Sequence, residues 1–179
     1  MYSSMQRWWK NIKLRGYNVY TLVQALLSGD IATIEGEIWI VLNDSTSAFD
    51  YNEAFYHGML VGLLMNAGQV RSNDEYGEGW PDIVALTHDT GIILEVKCVT
   101  PKALKKAGIK DNERARIKSL MAAKLDEAEK QIHDNEYIEA VLDDEPIART
   151  VKSYAVCFCR KWCAVREVKQ GAGYACGIV

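Results

Sequence analysis

The chain has 179 residues, 49% of them hydrophobic, and a formal net charge of −3. That length suits one globular domain burying roughly 70% of its unfolded surface, and three prolines with no internal repeat leave little room for linkers. The acidic balance argues against a constitutive nucleic-acid coat. No run approaches the ~20 apolar residues of a membrane span, and Met1 to Arg7 leads to no secretory core, so a cytoplasmic protein without membrane contact is expected.

In chain order, Arg7-Trp8-Trp9-Lys10, with Lys13 and Arg15, interleaves bases with aromatics. Such a stretch either stacks on single-stranded nucleic acid or packs as a junction to a preceding domain. Thr21 to Leu27 and Ile31 to Leu42 read as helices parted by Ser28-Gly29-Asp30, a small helical extension over residues 1–45 ahead of a core over 50–168. Asn52 to Leu64 reads as a buried helix capped by Asp50 or Asn52 and ending before Gly68. Glu53 and His57 are four apart, on one face with Leu60 and Leu64. Polar groups on a packing face need partners, so either they hydrogen-bond in the core or they reach a metal. Gly58 and Gly62 would let this helix approach a sheet closely.

Pro81-Asp82 and Glu95-Val96-Lys97 set two acids and a lysine beside the apolar runs Ile83 to Leu86 and Gly91 to Leu94. Ionised carboxylates in such runs are costly unless paired. The runs read as two strands joined through His88-Asp89-Thr90-Gly91. A hairpin centred between Asp89 and Thr90 places Asp82 opposite Lys97 and Glu95 opposite Val84. Side chains alternate faces with period two, so Asp82, Glu95 and Lys97 share a face. Two carboxylates and a backbone carbonyl, that of Val96, suit Mg²⁺ or Mn²⁺, and a neighbouring lysine can orient a water or stabilise charge on a phosphate. The bland alternative is a structural ion pair between an acid and Lys97.

Beyond the hairpin, Thr100 to Asp111 is a lysine-rich segment, either a solvated loop or a source of positive charge for a substrate. Asn112 to about Asn135 reads as a long helix whose stripe of Ile117, Met121, Leu125, Ala128 and Ile132 is core. Gln131 flanks that stripe and Tyr137 follows its end, either as surface groups or as groups that position a phosphate or a water. Val151 to Cys159 alternates like a strand, and Arg160-Lys161 turns it into Trp162 to Val168. That register pairs Cys163 with Phe158 and puts it on the opposite face from Cys157 and Cys159. Three thiols split over two faces cannot share a metal, so the five cysteines read as reduced thiols rather than a zinc or iron–sulfur site.

Taken together, Phe55 to Leu64, Arg71-Ser72-Asn73, Gly77-x-Gly79, Pro81-Asp82-Ile83, Ile93-Leu94-Glu95-Val96-Lys97, Gln131-Ile132 and Tyr137 resemble the PD-(D/E)xK nuclease superfamily. The resemblance runs from about Tyr20 to Val168. Within the superfamily it looks like the nuclease-like domain at the C-terminal end of many bacterial AAA-ATPase-like proteins. It implies an α/β fold, a mixed sheet flanked by helices in a restriction-endonuclease-like core. It also implies a Mg²⁺- or Mn²⁺-dependent deoxyribonuclease with Asp82, Glu95, Lys97 and Gln131 as catalytic residues. His57, Asp82, Glu95, the Val96 carbonyl and Glu53 would form the metal shell, and Arg71, Asn73 and Tyr137 would meet the substrate. Two positions where the family often carries arginine hold Asp74 and Trp80 instead, which removes two cations that would neutralise phosphate. No Gly-x4-Gly-Lys-Ser/Thr occurs, so a motor would be a separate ATPase domain or subunit. DNA is the expected partner, RNA the alternative polymer, self-association into a homodimer a further expectation, and a nuclease-fold interaction module that no longer cuts the competing class.

Overall fold

A computed structural model of the chain describes residues 18–45, 52–65, 68–72, 81–145 and 148–169. Helix α1 spans Val19–Ser28 and α2 spans Ile31–Ser45. Between them Gly29 takes a left-handed φ of 77°, and its N–H caps Ala25. Such a φ is cheap only for glycine, so the Ser28-Gly29-Asp30 break is written into the residue type. Asp30 then accepts from Thr33 N at 3.1 Å and starts the second helix. Helix α3, Glu53–Leu64, is capped by Asn52, which accepts from Phe55 N at 2.9 Å.

Five strands follow among the described residues: β1 (Gln69–Ser72), β2 (Ile83–Thr87), β3 (Thr90–Cys98), β4 (Thr150–Cys159) and β5 (Trp162–Val168). They form one sheet in the order β1-β2-β3-β4-β5. Only the β3–β4 pair is parallel. A parallel neighbour demands a crossover, and that crossover is the second helical layer: α4 (Pro101–Lys106), α5 (Arg114–Asp134) and α6 (Tyr137–Asp144).

The sheet lies between two apolar layers. On one face Leu22, Leu26, Ile38, Leu60 and Leu64 pack against Ile83, Ile92, Leu94, Val96, Val156 and Phe158. On the other, Leu104, Ile117, Met121, Leu125, Ala128 and Val141 cover Val84, Ile93, Ala155 and Cys157. From Gly91 to Leu94 strand β3 is therefore apolar on both sides, as a strand roofed on both faces must be. A Cβ on Gly91 would stand 2.9 Å from Val141 Cγ1, so its missing side chain is what lets α6 lie this close to β3.

This is the expected mixed sheet flanked by helices, with corrections in detail. The β2–β3 hairpin turns at His88-Asp89, with Thr87 paired to Thr90 and Ile83 to Leu94. It is centred one residue earlier than the turn composition suggested, because His88 itself takes a positive φ of 52° and closes a two-residue turn. Gly58 is exposed with open space around it and brings no backbone to the sheet; α3 packs through Tyr56, Met59, Leu60, Leu63 and Leu64 instead. The lysine-rich segment after β3 contains helix α4, started by Thr100, which accepts from Ala103 N, and by Pro101 in its first turn. Tyr137 follows the end of α5, as expected, and also opens a further helix, α6. The Arg7 to Arg15 stretch, Asp50, Asn73, Asp74, Gly77, Gly79, Trp80 and Cys176 lie outside the described residues. Among the described residues no helix is long and apolar enough to cross a membrane.

Candidate active site

Strand β2 stops at Ile83, whereas β3 continues to Cys98, so Glu95, Val96 and Lys97 run on past the last rung of the β2–β3 ladder. Asp82 occupies the place where β2 would have continued. Its Oδ2 accepts the Val96 N–H at 2.8 Å, a bond that the absent strand would have supplied. Its own N–H points to Glu95 Oε2 at 3.4 Å. Lys97 Nζ donates to Glu95 Oε1 at 2.6 Å, so the three ionisable groups form one continuous cluster. The N–H and C=O of one strand residue point to the same side, so the Val96 carbonyl is directed toward the Asp82 side as well.

The cluster stands on the face of the sheet that α5 covers, because Glu95 and Lys97 continue the row of Ile93. Glu95 is fully buried and Lys97 retains 17% side-chain exposure. Burial pushes the Glu95 carboxyl above its usual range, and the charge of Asp82 pushes it the same way, against the pull of Lys97. Burial opposes the charged form of Lys97, but its hydrogen bond to Glu95 and the carboxylate charges around it outweigh that, and its pKa is raised. Lys97 is therefore a cation at neutral pH. Two carboxylates against one ammonium leave the ionised cluster one negative charge in excess, and hard oxygen donors with surplus negative charge are what a divalent cation binds.

His57 reaches this site from the other face. Its Nε2 lies 2.9 Å from the Asp82 carbonyl oxygen and 3.1 Å from Ser72 Oγ. A carbonyl only accepts, so Nε2 carries the proton and donates to Asp82. His57 thus holds the backbone of Asp82, and not its carboxylate. Glu53, one turn earlier, is exposed, and its charge reaches Lys97 and the Cys98 thiol. Among the described residues no three His, Cys, Asp or Glu side chains are gathered to hold a metal ion. Protein ligands at this site would be Asp82 and Glu95 with the Val96 carbonyl.

Helix α5 crosses the sheet at the level of Glu95: Glu95 pairs with Ala155, Ala155 with Arg166, and Arg166 Nη1 bonds Asp126 and Glu129 at 2.7 Å each. Gln131 follows shortly after. Its Nε2 donates to Tyr137 Oη at 3.2 Å, and Asn135 Nδ2 donates to the same oxygen at 2.9 Å. Tyr137 is 1% exposed, so it is no surface group; it is the buried anchor that fixes the Gln131 side chain. Tyr137→Phe removes the acceptor shared by the half-buried Gln131 and the exposed Asn135, and a loss of about 0.5–1.5 kcal/mol in urea unfolding is expected. Stability unchanged within error would show that those amides find water instead.

Arg71, opposite Val84 on β1, stands on the α5 side of the sheet and pairs with Glu145 Oε1 at 2.6 Å. Its side chain keeps 40% exposure while that of Glu145 has 7%, so the arginine end remains reachable although committed to a partner. Glu145 had no sequence signal as a site neighbour, since it acts through a residue distant in the chain, and Ser72 stood in a quoted motif without a sign of its bond to His57.

The described thiols follow the expected β4–β5 register. Phe158 pairs with Cys163, Cys157 and Cys159 face α5, and Cys163 packs toward the other layer. Burial raises the thiol pKa of both Cys98 and Cys157 to about 12, so they are protonated at neutral pH.

Residues 51–168, about two-thirds of the chain, match the family model described as the PD-(D/E)XK nuclease superfamily. No match was found among curated proteins or among solved structures.

Proposed function

From the premise that the chain belongs to the PD-(D/E)XK nuclease superfamily, we propose that it is a divalent-metal-dependent nuclease hydrolysing phosphodiester bonds of DNA. The single observation that carries this reading is the Asp82–Glu95–Lys97 cluster just past the end of β2, with surplus negative charge. Mg²⁺ or Mn²⁺ fits it: Asp82, Glu95 and the Val96 carbonyl would hold the ion. The bound cation supplies Lewis acidity and neutralises charge on the scissile phosphate.

The chain's own groups do the positioning. Lys97, kept cationic by Glu95, donates to a water or to a phosphate oxygen and offsets charge as it builds up; it is not a proton acceptor in this state. His57 fixes the Asp82 backbone from behind, which holds the carboxylate in register with Val96. Gln131, pinned by Tyr137, supports the substrate or a water from α5. Arg71 meets a phosphate at the β1 edge if Glu145 releases part of its hold.

Purified protein should cut circular single-stranded or duplex DNA with Mg²⁺ or Mn²⁺ and stop on chelation. Asp82→Ala should lose at least about 100-fold in rate. Cleavage that survives chelation or Asp82→Ala would sink the reading. A chain that binds metal through Glu95 yet cuts neither DNA nor RNA would be a nuclease-fold module without activity.

A further inference from the structure

We propose that α4 and the first turns of α5 form a docking surface for the phosphate backbone of a polynucleotide, feeding it to the Lys97 end of the sheet. The proposal rests on the nuclease reading of the adjacent site for its purpose, but on separate residues for its evidence. From Lys102 to Lys118 the chain carries seven Lys or Arg and two acids, a local charge of +5 in a molecule whose total is −3. Both acids of that stretch are already occupied. Asp111 pairs with Arg160, and Glu113 pairs with Arg116 at 2.8 Å while also accepting from Lys110 N. Lys102, Lys105, Lys106, Lys110, Arg114 and Lys118 are exposed. Among the described residues none of these six side chains is in an ion pair with an acid. Arg114 lies over the Trp162 ring, 5.9 Å from its centroid, which adds an aromatic surface to the cationic one.

Position turns the charge into a direction. Leu104 of α4 and Ile117 of α5 pack on the same face of the sheet as Ile93, the face that carries Glu95 and Lys97. Residue Ile117 borders the same hollow as Cys159 and Trp162, so α5 begins at the C-terminal ends of β3 and β4. Lys97 is at that end. The opposite end is acidic: Asp134 to Glu145 holds six acids and no Lys or Arg. A polyanion is therefore repelled from one end of this layer and attracted to the end where β3 presents the candidate site. In a molecule of net negative charge that attraction is local and depends steeply on salt.

The test is fluorescence anisotropy in EDTA, so that binding is read without cleavage, using labelled single-stranded and duplex DNA of about 30 units across a salt series. The variant Lys102→Gln/Lys105→Gln/Lys106→Gln should weaken binding about tenfold or more at 0.1 M salt and flatten the log–log salt slope by about 2–3. All three side chains are exposed, and a thermal melt equal to that of the unsubstituted protein would confirm an intact fold. Affinity and slope unchanged in the variant, or no binding by the unsubstituted protein at low salt, would overturn the surface even if DNA is cut. A lysine-dependent slope in a protein that never cleaves would sustain the surface and sink the nuclease reading.

Discussion

Lys97→Met is expected to lose about 100-fold or more in cleavage and, separately, to lose stability at neutral pH that returns on acidification. The first effect follows from removing the cation that would offset charge on a phosphate at the candidate site. The second follows from what remains. Glu95 is fully buried, and Lys97 is its only cationic hydrogen-bond partner among the described residues. Breaking a buried pair by removing one member costs about 3–5 kcal/mol, and the partial exposure of Lys97 puts this case at the low end. A carboxyl whose pKa is raised by folding contributes its full stability below its unfolded pKa and loses it as pH rises through the folded one. Burial and Asp82 already raise Glu95, and losing Lys97 raises it further. Urea unfolding of the variant should therefore improve from pH 7 to pH 5 by more than the unsubstituted protein does. Lys97 itself, raised above its ordinary value, contributes below that value and ceases to contribute in alkali, so the unsubstituted protein should weaken as pH climbs beyond about 10.5. Parallel pH profiles for the two proteins would place Glu95 in contact with water and remove its buried pairing.

The site was legible where side-chain parity decides it. The true hairpin pairing of β2 and β3 lies two residues from the expected one, bringing Asp82 level with Glu95 instead of Lys97. A shift of two leaves every side chain on its face, so the convergence of Asp82, Glu95 and Lys97 survived the error. The β4–β5 hairpin was readable to the residue because Arg160-Lys161 is the whole turn and the flanking strands alternate cleanly. The end of α5 was legible too, at about Asn135, but helix α6 beyond it was not, because the chain re-enters a helix through Glu136 at a left-handed φ of 50°, a conformation that glutamate does not signal. Nor was the role of His57: its partner is a main-chain carbonyl, and hydropathy patterns record no carbonyls. The Asp82–Val96 contact escaped for the same reason, since its donor is a main-chain N–H. Arg71 and Glu145 are brought together once α6 packs on β3 and β4, information that lies in tertiary structure alone.

Mg²⁺ or Mn²⁺ is expected to raise the melting temperature by about 5–10 °C when present at a hundredfold excess over its dissociation constant. Ligand binding at that level is worth about 2.7 kcal/mol, and a chain of this size gains about 2–4 °C per kcal/mol. The physical source is the excess negative charge of the cluster, in which Glu95 bears both burial and repulsion from Asp82. Asp82→Asn separates this account from a purely structural one. An asparagine oxygen can still accept the Val96 N–H, and the substitution removes the repulsion on Glu95, so stability without metal should hold or rise. The metal-dependent increment should vanish, because one of two carboxylates is gone. If Asp82 served only to brace β3, its replacement would lower stability and leave the ion's effect untouched. Acid should erode the increment in the unsubstituted protein too. Glu95 must be ionised to bind the cation, and its raised pKa brings its protonation closer to neutrality than that of an exposed glutamate. A thermal shift of equal size at pH 5 and pH 7.5, or one retained in Asp82→Asn, would move the metal away from this cluster.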